Sequence, residues 1–163
     1  MTNADAPDFK LLLSQFNALT DGEPDALANT ANFVALLYAG LPDVNWLGVY
    51  VLRGDHLVLG PFQGIPACLR IPLGQGVCGT AAERRETMRV DDVHTFDGHI
   101  ACDPASRSEI VVPLSCEGTL VGVLDIDSPL PGRFNAADQS GIESLCRAFE
   151  NRLAGSDTRD SFI

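Results

Sequence analysis

The sequence has few basic residues. Eleven Lys and Arg against 22 Asp and Glu leave a formal net charge of -11, which repels a phosphate backbone and speaks against nucleic-acid binding. The densest basic cluster, Arg84 and Arg85, is flanked by Glu83 and Glu86 and reads as a solvated helix end. No apolar run approaches membrane-spanning length, so no membrane span is expected. Residues 1–8 hold Asp5 and Asp8 and no basic residue ahead of an apolar run, so no secretory signal is expected there. There is no CxxC pair and no finger-like histidine spacing. A zinc site built from Cys68, Cys78, His94, His99 and Cys102 is therefore not expected. Five cysteines is an odd number, which argues against a secreted disulfide framework. In a reducing cytosol any disulfide would be transient and catalytic.

What is present suits one globular unit. The chain has 163 residues, 45% hydrophobic and 20% charged, enough to bury a core without disulfide or metal staples. Helical spacing of Phe9, Leu12, Leu13 and Phe16, then of Leu27, Val34, Leu37 and Leu41, predicts two helices. Pro24 suits the first turn of the second, and Gly40 with Pro42 ends it. Period two takes over in residues 44–51, which puts Trp46, Gly48 and Tyr50 on one face and Leu47, Val49 and Val51 on the other. Gly54 and Asp55 turn the chain into a return strand over residues 56–59. Residues 78–85 read as a short helix, residues 87–90 as a short strand, and residues 91–108 as a long loop of the kind that carries function. Residues 109–114 and 119–127 form a hairpin through Glu117 and Gly118. The last helix starts at Asn135, with Asp138 completing an imperfect capping box, and its stripe is Ile142, Leu145, Cys146, Phe149 and Leu153. A polar tail, residues 156–163, frays. The fold class is α+β, an antiparallel sheet with helices packed on it.

Several residues could carry chemistry. Asp125 and Asp127 share a strand face with Val121 and Val123, and the hairpin brings Glu109 near them. Such acids either cap a turn before Pro129 or form a crowded site. A crowded site would bind an ammonium group, hold a proton at neutral pH, or take a hard metal, although no other ligands accompany it. Trp46 and Tyr50 are either core or the wall of a pocket over Gly48, where a ligand could approach the backbone. Cys146 lies on an apolar stripe and is core; Cys116, beside the turn, is incidental. Cys68, Cys78 and Cys102 lie in irregular segments and suit redox partners. Of these Cys78, close to a helix N-terminus, is the nucleophile that physics favours. His94 and His99 are loop hydrogen-bonders, either of which could assist a thiolate.

The segments NWLGVYVL, GPFQGIPACLRIPLGQGVCGTA, RVDDVHTFDGHIACDPASRSEIVVPL and GVLDIDSP resemble the free methionine-(R)-sulfoxide reductases of the GAF fold. The resemblance implies one GAF domain over residues 1–155, a cytoplasmic enzyme and, as for many GAF domains, a possible homodimer. It moves the nucleophile from Cys78 to Cys102 and makes Cys68 the main resolving thiol, with Cys78 as helper. Trp46 and Tyr50 become pocket residues. Glu109, Asp125 and Asp127 become substrate-binding acids, with Glu109 the first and Asp127 the second choice of proton donor. The implied partners are free methionine-(R)-sulfoxide and thioredoxin as external dithiol, with no bound cofactor or metal. The rival readings are a non-catalytic GAF module that binds a small molecule and a thiol redox sensor.

Overall fold

Alternation in the first apolar strand decides the architecture. In the computed structural model, which describes residues 6–100 and 102–157, that stretch becomes β1 (Trp46–Arg53). Residues 1–5, Ala101 of the GHIACD segment and positions 158–163 of the expected tail lie outside the described residues. β1 pairs on one side with β2 (His56–Gln63), across a turn in which Gly54 takes φ 62°, and on the other with β6 (Thr119–Ser128). β6 pairs with β5 (Ser108–Cys116). Their hairpin closes through Glu117 and Gly118 at φ 51° and 80°, the two left-handed residues a type I′ turn requires. Two three-residue strands, β3 (Arg70–Pro72) and β4 (Met88–Val90), finish an antiparallel sheet of order β3-β2-β1-β6-β5-β4.

Because side chains alternate, the sheet has two different faces. Leu47, Val49, Ile110, Leu124 and Ile126 pack against α1 (Phe9–Leu19), α2 (Ala26–Gly40) and α4 (Ala136–Ala154). There Phe33 stacks on Phe149 at 4.7 Å and meets Phe16 edge-on at 5.1 Å. The opposite face carries Trp46, Tyr50, Val111 and Val123 under α3 (Gly76–Arg84). The aliphatic layer of the helical face is the larger core, and it leaves the α3 face free to hold polar groups.

The elements differ from expectation in particular places. Asp25 caps α2 by accepting from the Ala28 amide, so Pro24 precedes the helix instead of opening it. The capping box of Asn135 and Asp138 is complete, with both reciprocal hydrogen bonds made. β2 runs four residues past Leu59, to Gln63, and β3 emerges from the Gly/Pro-rich stretch. The long loop contains one 3-10 turn, Val93–Thr95. Val121 joins the helical core and Leu120 the opposite one. The reason is a register shift where Leu114 pairs with Gly122 and Ser115 with Leu120, leaving Val121 as the extra residue. Among the described residues no helix is long and apolar enough to cross a membrane.

The space over Gly48 belongs to an indole, not to a ligand. Trp46 lies across this glycine, and a Cβ there would come 2.9 Å from its Cζ3 and 2.6 Å from Phe62 Cβ. Gly48→Ala should therefore destabilise the protein by about 1–3 kcal/mol through overpacking. The measurement is a urea titration, with a lower midpoint at unchanged slope expected.

Candidate active site

The register of three strands brings the acids together. Glu109 on β5 stands opposite Asp127 on β6, and Val111 stands opposite Asp125. On the other side of β6, Asp127 faces Trp46 and Asp125 faces Gly48. Glu109 and Asp125 are each 6% exposed, while Asp127 is half-buried. The turn-cap alternative for Asp125 and Asp127 is thereby removed, since both remain within β6 and point to the α3 face.

Burial, followed by the Asp125 and Asp127 charges, holds the Glu109 carboxyl well above the usual glutamate range. Burial and then Asp125 raise Asp127 in the same way, opposed by a hydrogen bond from Ser106. Asp125 is pushed up by burial to about 6, and hydrogen bonds from Cys78 and Glu109 limit that rise. The Glu109–Asp125 bond raises Glu109 and lowers Asp125. Glu109 is thus the proton-holding donor and Asp125 the acceptor, the division of roles expected when like charges crowd one site. Asp125 Oδ1 is buried without a hydrogen-bond partner. His99 Nε2 lies 3.8 Å from Glu109 Oε2. Burial, then His94, lowers the His99 pKa, so burial disfavours the charged form of both partners in this contact.

Helix α3 begins at Gly76, two residues before the expected start, so Cys78 is its third residue and lies near the N-terminus as expected, but its thiol is not activated. Its side chain is 4% exposed and points into the acids, with Sγ 3.9 Å from Glu109 Oε1. Burial first, then Asp125 and Glu109, push the thiol well up. A helix N-terminus lowers a thiol pKa only when no larger effect opposes it. One donor atom each from Cys78, Glu109 and Asp125 lies within 4.8 Å of the others, a set that an ammonium group or a divalent cation would neutralise.

Cys102 and Cys68 form a disulfide, with Cα atoms 5.5 Å apart and a sequence separation of 34. Cys102 also lines a cavity of about 30 Å³ together with Cys78, His99, Ile100, Asp103, Ser106, Glu109, Asp125 and Asp127, room for one or two water molecules. Trp46 and Tyr50 are not on its wall. They anchor the Cys68 loop instead: Trp46 Nε1 donates to the Ile65 carbonyl at 3.0 Å and the Tyr50 hydroxyl to the Cys68 carbonyl at 3.0 Å. The indole stacks between Tyr50 at 5.8 Å and Phe62 at 5.5 Å. Burial and the nearby acids raise the Tyr50 pKa, which keeps its hydroxyl a donor.

A second tether holds the Cys102 loop. Asn45 Nδ2 donates to Asp103 Oδ2 at 2.8 Å and to Ser106 Oγ at 3.2 Å. Asn45, Asp103 and Ser106 were invisible to sequence reasoning as a set because 58 and 61 positions separate Asn45 from its partners. Asn45, Asp103 and Ser106 all lie inside the quoted segments, which is the signal that could have found them. Cys146 lies in the helical core as expected, and Cys116 is buried there too.

The GAF-domain family profile matches residues 24–153. The free methionine-R-sulfoxide reductase of Escherichia coli is 55% identical over 147 residues, covering 90% of this chain and 89% of that one. Among solved structures, the reduced form of fRMsr of Staphylococcus aureus aligns with a TM-score of 0.90 at 46% identity, covering 94% of this chain and 100% of that one. The free methionine-R-sulfoxide reductase of Neisseria meningitidis in complex with its substrate aligns with a TM-score of 0.87 at 41% identity, covering 91% and 89%.

The raised carboxyl pKa values set the sign of a stability effect. A folded state that holds protons more tightly than the unfolded chain is favoured below the ordinary carboxylate range. It loses that advantage as pH climbs through the raised folded-state values. Glu109→Gln removes the titration and keeps the shape, so its melting temperature should match the parent at about pH 4 and exceed it by several degrees at about pH 8. Calorimetry of both ligand-free proteins in the same redox state checks this; equal melting temperatures at both pH values would mean that Glu109 is not held protonated.

Proposed function

The chain belongs to the free methionine-(R)-sulfoxide reductases of the GAF-domain family, and on that premise we propose a mechanism for its active site. The protein is an oxidoreductase that reduces free methionine-(R)-sulfoxide to methionine. The observation that carries the mechanism is the juxtaposition of Cys102 with three carboxyl groups that hold protons above their usual range.

Each group has a task that its surroundings suit. A sulfoxide oxygen leaves sulfur only once it is protonated, and Glu109, whose carboxyl is held well above the usual range by burial and its acidic neighbours, is the group suited to donate that proton; Asp127 is the second donor. Cys102 Sγ attacks the sulfoxide sulfur, the protonated oxygen ends on Cys102 as a sulfenic acid, and methionine leaves. The Cys68 thiol then attacks that sulfenic sulfur and expels water. The product is the Cys68–Cys102 disulfide, so the structure corresponds to the end of this sequence. Asp125, with an unpartnered buried oxygen, receives the substrate ammonium, which a peptide-bound methionine lacks. Cys78, a buried thiol beside Glu109, is the helper.

A cavity of about 30 Å³ is too small for methionine sulfoxide. Opening the disulfide frees the Cys102 loop to withdraw, and Trp46, with Tyr50 behind it, then offers an aromatic wall to the S-methyl group. A thioredoxin-class dithiol in the cytoplasm restores the thiols by exchange, with no bound cofactor. Two copies pair through their terminal helices, where Leu11 and Leu19 are 53% and 52% exposed; a solution mass of one chain by light scattering would remove that pairing.

With dithiothreitol as reductant, methionine should form from the free R epimer and not from the S epimer or an R-sulfoxide peptide. Turnover of none of them would leave a ligand-binding or redox-sensing GAF module. Cys102→Ser should abolish even one stoichiometric turnover. Cys68→Ala should release one methionine per chain and then stall with thioredoxin; sustained cycling would move the resolving role to Cys78. Asp125→Asn should raise KM by at least tenfold, the scale of a lost charge-assisted contact, and an unchanged KM would take it out of the ammonium site.

A further inference from the structure

The two sulfurs of the disulfide face different surroundings. Cys102 lines the acidic cavity with Glu109, Asp125 and Asp127, and Cys68 does not. Cys68 belongs instead to a loop whose Ile65 and Leu69 side chains are 50% and 73% exposed, with Pro66 exposed between them. Leu69 has the highest exposure of any large apolar side chain among the described residues. The backbone beneath this apolar edge is fixed. Trp46 and Tyr50 hold the Ile65 and Cys68 carbonyls, and the Leu69 carbonyl accepts from the Leu59 amide of β2 at 3.0 Å. A preformed apolar loop around a reducible sulfur offers a partner contact area at little ordering cost.

Thiol–disulfide exchange begins with an anionic thiolate, which approaches one sulfur from the side opposite the other. On Cys102 that approach would pass through the cavity that it lines with Glu109, Asp125 and Asp127, whose free space of about 30 Å³ leaves no room for a protein thiol. On Cys68 it comes from the side of the exposed loop. We propose that a thioredoxin-class dithiol protein docks on the Ile65–Leu69 loop and attacks Cys68 Sγ, with Cys102 as the leaving sulfur. The inference rests on the reductase reading above, which requires the disulfide to be reopened in every cycle.

The exchange balances. The partner thiolate forms a bond to Cys68 Sγ as the Cys68–Cys102 bond breaks, and its electron pair goes to Cys102 Sγ. That sulfur takes a proton from the carboxyl cluster it faces, and solvent returns the proton. The partner's second thiol then attacks its own sulfur in the mixed disulfide and releases Cys68 as a thiolate. Two electrons pass from the dithiol to the protein, and Cys102 is left free on the cavity side, where substrate must arrive.

The test traps the intermediate. Oxidised protein is mixed with a thioredoxin that retains only its nucleophilic cysteine, quenched in acid within seconds, digested and analysed by mass spectrometry. A mixed disulfide at Cys68 is expected, whereas one at Cys102, or none, overturns the proposal. Separately, Leu69→Asp should lower thioredoxin-driven turnover about tenfold relative to dithiothreitol-driven turnover, the scale of one interface anchor. An unchanged ratio also overturns the docking site. Methionine formation with dithiothreitol is the control that separates the two readings: its absence defeats the reductase reading itself, and its presence with a failed trap defeats only this inference.

Discussion

Crowded acid on one face of a sheet is the constraint around which the rest is arranged. Glu109 and Asp125 are almost fully removed from water, with Asp127 beside them, and the basic group that faces Glu109, His99, is held neutral by its own burial. Such a cluster is costly in low dielectric unless it keeps protons or acquires a cation. It is tolerated because the opposite face of the same strands is a continuous aliphatic and aromatic core. The helical layer supplies the stability that the α3 layer gives up.

The same pairing that gathers the acids also places the two reactive loops. β1 contributes Trp46 and Tyr50, whose polar tips hold the Cys68 loop from below. Asn45, just before β1, holds the Cys102 loop through Asp103 and Ser106. One strand therefore registers both halves of the disulfide against the carboxyl cluster. Gly48, opposite Asp125 on the neighbouring strand, makes room for the indole.

Much of this was legible in the sequence because strand alternation is a short-range rule. Period two in residues 44–51 assigned Trp46 and Tyr50 to one face, and a hairpin through Glu117 and Gly118 was enough to bring Glu109 to Asp125 and Asp127. The rule failed at Leu120 and Val121, where one extra residue reverses the faces and no composition signal marks it. Cys78 misled for a different reason. Its helix position was right, but a helix-terminus argument says nothing of where the side chain points, and it points into acid. The pocket over Gly48 was misplaced because a glycine opens space equally to a ligand and to a neighbouring ring. The Cys68–Cys102 pairing came from the family resemblance, since three irregular-segment cysteines allow several pairings on spacing alone.

The disulfide joins two segments that are otherwise held separately, one by aromatic hydrogen-bond donors and the other by an asparagine. Between them the chain passes through β3, α3 and β4. Cutting such a cross-link restores chain entropy locally, not globally. Amide hydrogens around Cys68 and Cys102 would then exchange at rates that follow the redox state while those of the helical core do not. The chain carries its own redox record, written as local rigidity at one end of an otherwise unresponsive scaffold.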